Sequence, residues 1–520
     1  MEQKLLTQTN IKNIFKAVLI LAILTAFGLC IKWTFFTNEN KILRASITTA
    51  VDINENDPAK IEYADQAVII RHLYSTLFIY DLNGQLVLNA ASDFSINKDI
   101  LKIEMKPKIK LPNGRFLDAK DAEYSFKRLI YLSSNTHGDL NTFLVDGNTL
   151  KIDNLWDQVW SHDDSLFFRL RYPESMHLFV NLLASTDYSV IPRETIDWTK
   201  PKMPIVDYKN TSGPYHFNYS NKEKCVLIAN TSHPYITDRS PIEVQLYSTW
   251  GEKTVALLKS NQLDLMPTID PISKSNLDLL ENDDYRIQKT LPIYSFNISF
   301  TPDARGKFTK SERLAIAKII RSSFEKKSNS IFSDFTPAFQ MTSPLSESAL
   351  TESDVRSLKT IYEVNDANIN TISKRHTKVK MLAYALSDEE YTQLFGDIEW
   401  LERIKTNKPK ESVEKNETPD LIFMGTDSNF YEGIGFLSYN LSMKIFTLPP
   451  ELNENSWVSK YLSESNKQAR IKISQTIQFY NISEGFLIPL GHKPYYAVST
   501  KKISPKIFKE FAEIYFWLVQ

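Results

Sequence analysis

The stretch Asn113-Gly114-Arg115-Phe116-Leu117-Asp118-Ala119-Lys120-Asp121-Ala122-Glu123-Tyr124-Ser125-Phe126-Lys127-Arg128 carries the sharpest local pattern in the chain. Asp118 is placed to cap exposed amides, and Asp121 stands in the first turn, where a negative charge meets the positive end of a helix dipole. Ala122, Phe126 and Leu129 recur on one face. The spacing predicts a helix that opens at 118–121.

Upstream, 42–51 has strand-like content and ends in the acidic turn Asn54-Glu55-Asn56-Asp57-Pro58. Residues 67–78 carry Val68, Ile69, Leu73 and Leu77 near helical spacing, and Asp81-Leu82-Asn83-Gly84 supplies a turn before the next strand. Downstream, 241–247 reads as a strand, 253–260 as a helix and 263–266 as a second strand, the order of a βαβ unit. In 311–324, Leu314, Ala315, Ile319 and Ile320 are apolar among Glu312, Arg313 and Lys318, which predicts another helix. Residues 405–420 are rich in lysine and glutamate, are interrupted by Pro409 and Pro419, and read as a solvated loop. No internal repeat of fixed period is present. The alternation of strands and helices predicts an α/β protein.

The length, 520 residues, suffices for about three folding units. Its 61 basic and 62 acidic side chains cancel to a net charge of −1, so no bulk attraction to nucleic acid follows. The 8 histidines are dispersed, with no His-Glu-x-x-His and no Cys-x-x-Cys, which argues against a zinc site. A phosphate loop and a Gly-x-Ser-x-Gly elbow are both missing, so ATP hydrolysis and serine hydrolase chemistry have no signature. The Ser-x-x-Lys spacings at Ser95/Lys98, Ser323/Lys326 and Ser499/Lys502 are chance spacings of common residues. Pairs such as Glu389-Glu390 and Asp163-Asp164 read as solvated faces rather than acid/base dyads. The sequence therefore gives no ground for an enzyme and implies no cofactor.

Residues 17–31, AVLILAILTAFGLCI, bear no charge; Lys12 and Lys16 precede them, and Lys32, Trp33, Phe35 and Phe36 follow. With Lys32 snorkelling, the apolar run from 14 to 36 reaches the ~20 residues that cross a bilayer. A cleaved secretory signal is the rival reading, since Ala26-Phe27-Gly28 offers a small-residue cut site. The apolar run continues past Gly28, which favours an uncleaved anchor, and the basic flank places the rest of the chain outside the cytoplasm. Only Cys30 and Cys225 occur, and Cys30 lies in the apolar run, so a disulfide between them is excluded as a staple of the fold.

Taken in order, several segments resemble the extracellular solute-binding proteins of family 5, which serve oligopeptide, dipeptide and nickel ABC importers. They begin with Asp57-Pro58-Ala59, Arg71-His72-Leu73-Tyr74-Ser75-Thr76-Leu77 and Tyr80-Asp81-Leu82-Asn83-Gly84. The stretch 113–128 follows and is the most specific match. Ser212-Gly213-Pro214-Tyr215 resembles the family's Gly-Thr-Gly-Pro-Tyr turn, and Ala256-Leu257-Leu258-Lys259 before Leu263-Asp264 resembles its Ala-Leu-x-x-Gly-x-x-Asp element, with Ser260 replacing the glycine. Phe296-Asn297, Arg313-Leu314-Ala315-Ile316-Ala317 and Ile488-Pro489-Leu490 complete the series. Between 328 and 419 little aligns.

The resemblance implies a two-lobed, periplasmic-binding-protein-like α/β fold of type II with an enlarged first lobe, here behind an N-terminal transmembrane helix in 1–37. Mapped by the matched segments, lobe one comprises 42–77, 197–291 and 488–520, an extra subdomain spans 78–196, and lobe two spans 292–487. The implied activity is capture of a peptide ligand by lobe closure and delivery to the permease and ATPase subunits of an importer, at the membrane and without nucleic acid, metal or cofactor. Two other readings stay open: a membrane-anchored sensor or scaffold on the same fold, and an extracytoplasmic hydrolase, for which no nucleophile and base stand out. For ligand contact the resemblance points to Glu62, Tyr63 and Ala64 as an added-strand partner of the peptide backbone, with an interlobe loop as the alternative. It also points to Phe423, Met424, Gly425 and Asp427 in Leu421-Ile422-Phe423-Met424-Gly425-Thr426-Asp427-Ser428, where Asp427 would hold the ligand's α-amino group or else cap a turn.

Overall fold

The computed structural model describes residues 41–48, 52–61, 64–105, 108–133, 143–144, 158–267, 274–281, 285–363, 378–383, 386–404, 418–427, 437, 440–441, 444–452, 457–508 and 513–519. The N-terminal segment 1–37, and residues 405–417 of the loop expected at 405–420, lie outside the described residues. Among the described residues no helix is long and apolar enough to cross a membrane.

The stretch 113–128 works as a connector. Gly114, at φ 90°, turns the chain so that Leu111 N–H meets the Arg115 carbonyl at 2.8 Å. The helix Ala119–Ser133 then starts with reciprocal capping: Asp121 N–H donates to the Asp118 carboxylate at 2.9 Å, and Asp118 N–H donates to that of Asp121 at 3.0 Å. Arg115 forks onto Asp121 at 2.7 and 3.0 Å and reaches Glu194 at 2.6 Å, while Arg193 reaches Asp118 at 2.7 Å. Burial alone would raise the Glu194 carboxyl, but the Arg115 guanidinium holds it below the usual carboxylate range. At the far end of this stretch the buried Arg128 guanidinium takes Asp57 at 2.9 and 2.5 Å and the Met203 carbonyl at 2.8 Å. Losing either member of such a pair strands a buried charge, a cost of about 3–5 kcal/mol. One short stretch thus ties together segments around residues 57, 194 and 203.

Three main sheets follow. The seven-stranded sheet runs in the order Tyr285–Lys289, Tyr496–Thr500, Leu265–Met266, Ile42–Ile47, Glu243–Ser248, Lys224–Ala229, Tyr215–Ser220. Ile42–Ile47 is parallel to both Glu243–Ser248 and Leu265–Met266, and the helix Gly251–Lys259 lies between those two in sequence, giving the βαβ unit read from the sequence. A four-stranded antiparallel sheet is built from Asp93–Asn97, Ile100–Glu104, Ser165–Arg169 and Val159–His162. The six-stranded sheet runs Thr336–Pro337, Leu487–Lys493, Tyr294–Phe300, Leu421–Asp427, Val379–Leu382, Leu401–Ile404. The helix Lys310–Ile331, with a Thr309/Glu312 capping box, packs Phe324 against Phe296 and Phe423 of this sheet.

One assignment changes. The sequence reading gave 488–520 to lobe one, but Leu487–Lys493 is hydrogen-bonded between Thr336–Pro337 and Tyr294–Phe300 in the six-stranded sheet. Its residues are buried throughout, as a central strand covered on both faces requires, and the crossing to the seven-stranded sheet comes only after Lys493.

Candidate functional site

The chain crosses between the two large sheets at 289–294 and returns at 493–496. The two crossings are bonded to each other: Thr290 N–H donates to the Tyr495 carbonyl at 3.0 Å, and Tyr495 N–H donates to Thr290 Oγ1 at 2.9 Å. Asp334, at the end of the long helix and at φ 53°, reaches across to both flanking strands. Its carboxylate accepts from Tyr496 Oη at 2.7 Å and Lys289 Nζ at 3.0 Å, and these contacts, Tyr496 first, hold it below the usual carboxylate range. The two crossings thus run side by side as a bonded pair between the two sheets.

Immediately inside lobe two, Tyr294 is in register with Asp427 on one side and Lys493 on the other. The Tyr294 ring meets Tyr495 edge-on at 4.9 Å and Phe296 at 5.1 Å. Lys493 is fully buried, with Nζ 5.1 Å from the Phe332 ring centre and 6.0 Å from that of Tyr294.

The residues singled out from the sequence fall in different settings. Glu62 and Tyr63 lie outside the described residues, and Ala64 is the exposed first residue of the helix Ala64–Leu73. Phe423 belongs to the core, 5.6 Å from the Phe296 ring, and Met424 is buried opposite Asn297. Gly425 lies under the Tyr294 phenol, and Asp427 is the last residue of its strand. One strand therefore brings 423–427 to the crossing side of lobe two, whereas Ala64 sits on an element of the other lobe. The sequence reading missed Tyr294, Thr290, Asp334, Lys493 and Tyr495; the quoted pair Phe296-Asn297 was the signal beside Tyr294.

Away from these crossings, residues 172–177 touch the segment 459–470 directly. Tyr172 Oη donates to Ser459 Oγ at 2.8 Å, Ser175 Oγ donates to the Leu462 carbonyl at 2.5 Å, and Arg470 Nη2 donates to His177 Nε2 at 3.0 Å. The four-stranded and six-stranded sheets also share one continuous apolar core, from Phe168 and Phe179 through to Phe296 and Leu487. Among the described residues no group of three His, Cys, Asp or Glu is placed to hold a metal ion, and Cys225 is a buried free thiol pushed up to about 12 by burial.

No protein-family model matches the chain, and no curated protein matches it by sequence. Solved structures do match over nearly the whole length. A dipeptide-binding protein from Pseudoalteromonas sp. SM9913, in complex with Met-Leu, superposes with a TM-score of 0.72 at 15% identity, covering 92% of this chain and 99% of that one. NikA from Staphylococcus aureus, in complex with Ni(L-His)2, gives 0.69 at 15% identity with the same coverages. The Escherichia coli murein tripeptide-binding protein MppA gives 0.68 at 15% identity over 92% of this chain and 98% of that one, and its unliganded open form only 0.59. By fold, then, this chain is a two-lobed, periplasmic-binding-protein-like α/β protein, similar over 92% of its length to proteins solved with a dipeptide or a nickel chelate.

Proposed function

We propose that the chain captures peptides outside the cytoplasm by closing its two lobes around them, and delivers them to an ABC importer whose permease and ATPase are separate chains. The observation that carries this reading is the hinge: two crossings bonded through Thr290 and Tyr495, joining two sheets in a fold whose solved examples include a dipeptide complex. In this reading the chain binds and does not catalyse. In this reading the 1–37 segment tethers the chain to the membrane, lobe one is built on the seven-stranded sheet with the subdomain attached, and lobe two is built on the six-stranded sheet.

Ligand contact is assigned to Glu62, Tyr63 and Ala64 from one lobe and to the Phe423–Asp427 strand end from the other. Asp427 supplies the negative charge that a desolvated α-ammonium needs. Phe423 and Met424 act from beneath, since both are buried.

The test is to purify the full chain, denature it and identify what is released by mass spectrometry, and then to titrate a peptide library and Ni(L-His)2 by calorimetry. Peptides in the released fraction and micromolar or tighter peptide binding are expected. Release or preferential binding of the nickel chelate, or cleavage of the library, would overturn the proposal.

A further inference from the structure

On the face of the six-stranded sheet opposite Tyr294 and Phe296, the central strand is polar where a core strand is ordinarily apolar. Ser295, Asn297 and Ser299 alternate along the central strand, all buried. Ser295 is in register with Thr426 on one side and His492 on the other, so these three side chains form one row, with Asn297 in the next. Among the described residues, Thr426 Oγ1, Asn297 Oδ1 and His492 Nδ1 are buried and have no hydrogen-bond partner. Unpaired polar atoms in a dry interior are costly, so three on one face call for an occupant.

The chemistry of the row fixes what that occupant is. The amide of Asn297 already donates to Ser295 Oγ, leaving its carbonyl oxygen as an acceptor. His492 Nε2 lies 3.0 Å from the Met341 carbonyl, which only accepts, so the ring proton sits on Nε2 and Nδ1 offers a lone pair. Thr426 can accept or donate. Residues 341 and 342, which lie against His492, are held in place by Gln478 Oε1 at 2.7 and 3.1 Å from their amides. Burial keeps the imidazole neutral, down to about 4, so the row holds no charge to balance an ion.

We infer that Thr426, Asn297 and His492 form a buried site for a neutral group with two polar hydrogens, which gives one to Asn297 Oδ1 and one to His492 Nδ1 while its oxygen accepts from the Thr426 hydroxyl. Two sources offer this chemistry: a bound water, which typically makes about three such bonds, and a primary amide of a captured ligand, whose NH2 carries both hydrogens and whose carbonyl oxygen accepts. Thr426 retains partial exposure at the strand end that precedes Asp427, so the site lies just beneath the surface there. Only the second source rests on the proposed function.

High-resolution crystal structures of the full chain, purified with and stripped of ligand, test the inference. A non-protein oxygen or nitrogen at roughly 2.7–3.2 Å from both Asn297 Oδ1 and His492 Nδ1 is expected. Presence in both forms assigns water; presence only in the loaded form assigns the ligand, and Thr426→Val then weakens binding about tenfold or more, against no change for water. Well-ordered density with no atom there, or ¹⁵N spectra showing His492 protonated on Nδ1, would overturn it whether or not the chain binds peptides.

Discussion

The Tyr294 phenol lies where a side chain on Gly425 would begin: a Cβ built at 425 falls 1.9 Å from Tyr294 Oη and 2.4 Å from Cζ. The glycine is thus required by its neighbour on the next strand, independently of any ligand. Gly425→Ala must push the ring off its packing against Tyr495 and Phe296, and overpacking of this kind costs about 1–3 kcal/mol. Urea denaturation should show that loss, and Gly425→Ala combined with Tyr294→Ala should lose less than the sum of the two single changes. Strict additivity would mean that the two residues do not press on each other.

His72 gives the fold an acid limit. Its Nδ1 donates to the Val68 carbonyl at 2.6 Å, its Nε2 accepts from the Phe516 amide at 3.0 Å, and its ring stacks on Phe516 at 4.2 Å. Burial outweighs the Val68 carbonyl and pushes the imidazole down to about 3, and His233, also buried, is pushed down to about 3. A group whose folded pKa lies below its unfolded value of 6.5 binds its proton more readily when unfolded. The contribution of each is therefore complete above 6.5 and falls by roughly 1.4 kcal/mol per pH unit as pH drops towards 3. Unfolding free energies measured between pH 6.5 and 4.5 should rise with pH, and His72→Gln should lower that slope by about one proton. An unchanged slope would mean that His72 charges within the folded protein.

The contacts between subdomain and lobe two should bias the chain towards closure before ligand arrives. Each hydrogen bond is worth about 1 kcal/mol net, so removing those of Tyr172 and His177 costs the closed state about 2 kcal/mol. The triple change Tyr172→Phe, Ser459→Ala and His177→Ala should shift the ligand-free population towards the open form by roughly 30-fold. Small-angle scattering would record it as a larger radius of gyration without ligand. An unchanged radius would leave these contacts with no part in closure.

Those contacts also show where sequence reading stops. The helix Ala119–Ser133 was legible because Asp118, Asp121 and Phe126 act within one turn or two of each other, and the βαβ unit because its period changes within 25 residues or so. Tyr172 and Ser459 are 287 positions apart and carry no local pattern. Leu487–Lys493 was misplaced for a related reason: a short apolar strand next to a crossing reads alike in either sheet, and only its pairing with Tyr294–Phe300 decides. At the site, Phe423 and Met424 were found because an apolar run is visible, but that they lie beneath the surface depends on Phe296, Phe324 and Phe395 arriving from elsewhere.

Asp427 ends the Leu421–Asp427 strand in register with Tyr294, whose other neighbour in register is the buried Lys493. If it holds the α-ammonium of a bound peptide, its charge is what matters, because an unpaired ammonium out of water is costly whereas shape and hydrogen bonding are kept by asparagine. Asp427→Asn should then weaken a free peptide by 2–5 kcal/mol, on the order measured for truncating a buried charge pair. The N-acetylated form of the same peptide lacks the ammonium and should lose little. Calorimetry with both peptides on the full chain separates the outcomes. Equal losses would assign Asp427 to the packing of the strand end, and no loss in either would remove it from the site, leaving recognition of the peptide to its backbone and side chains.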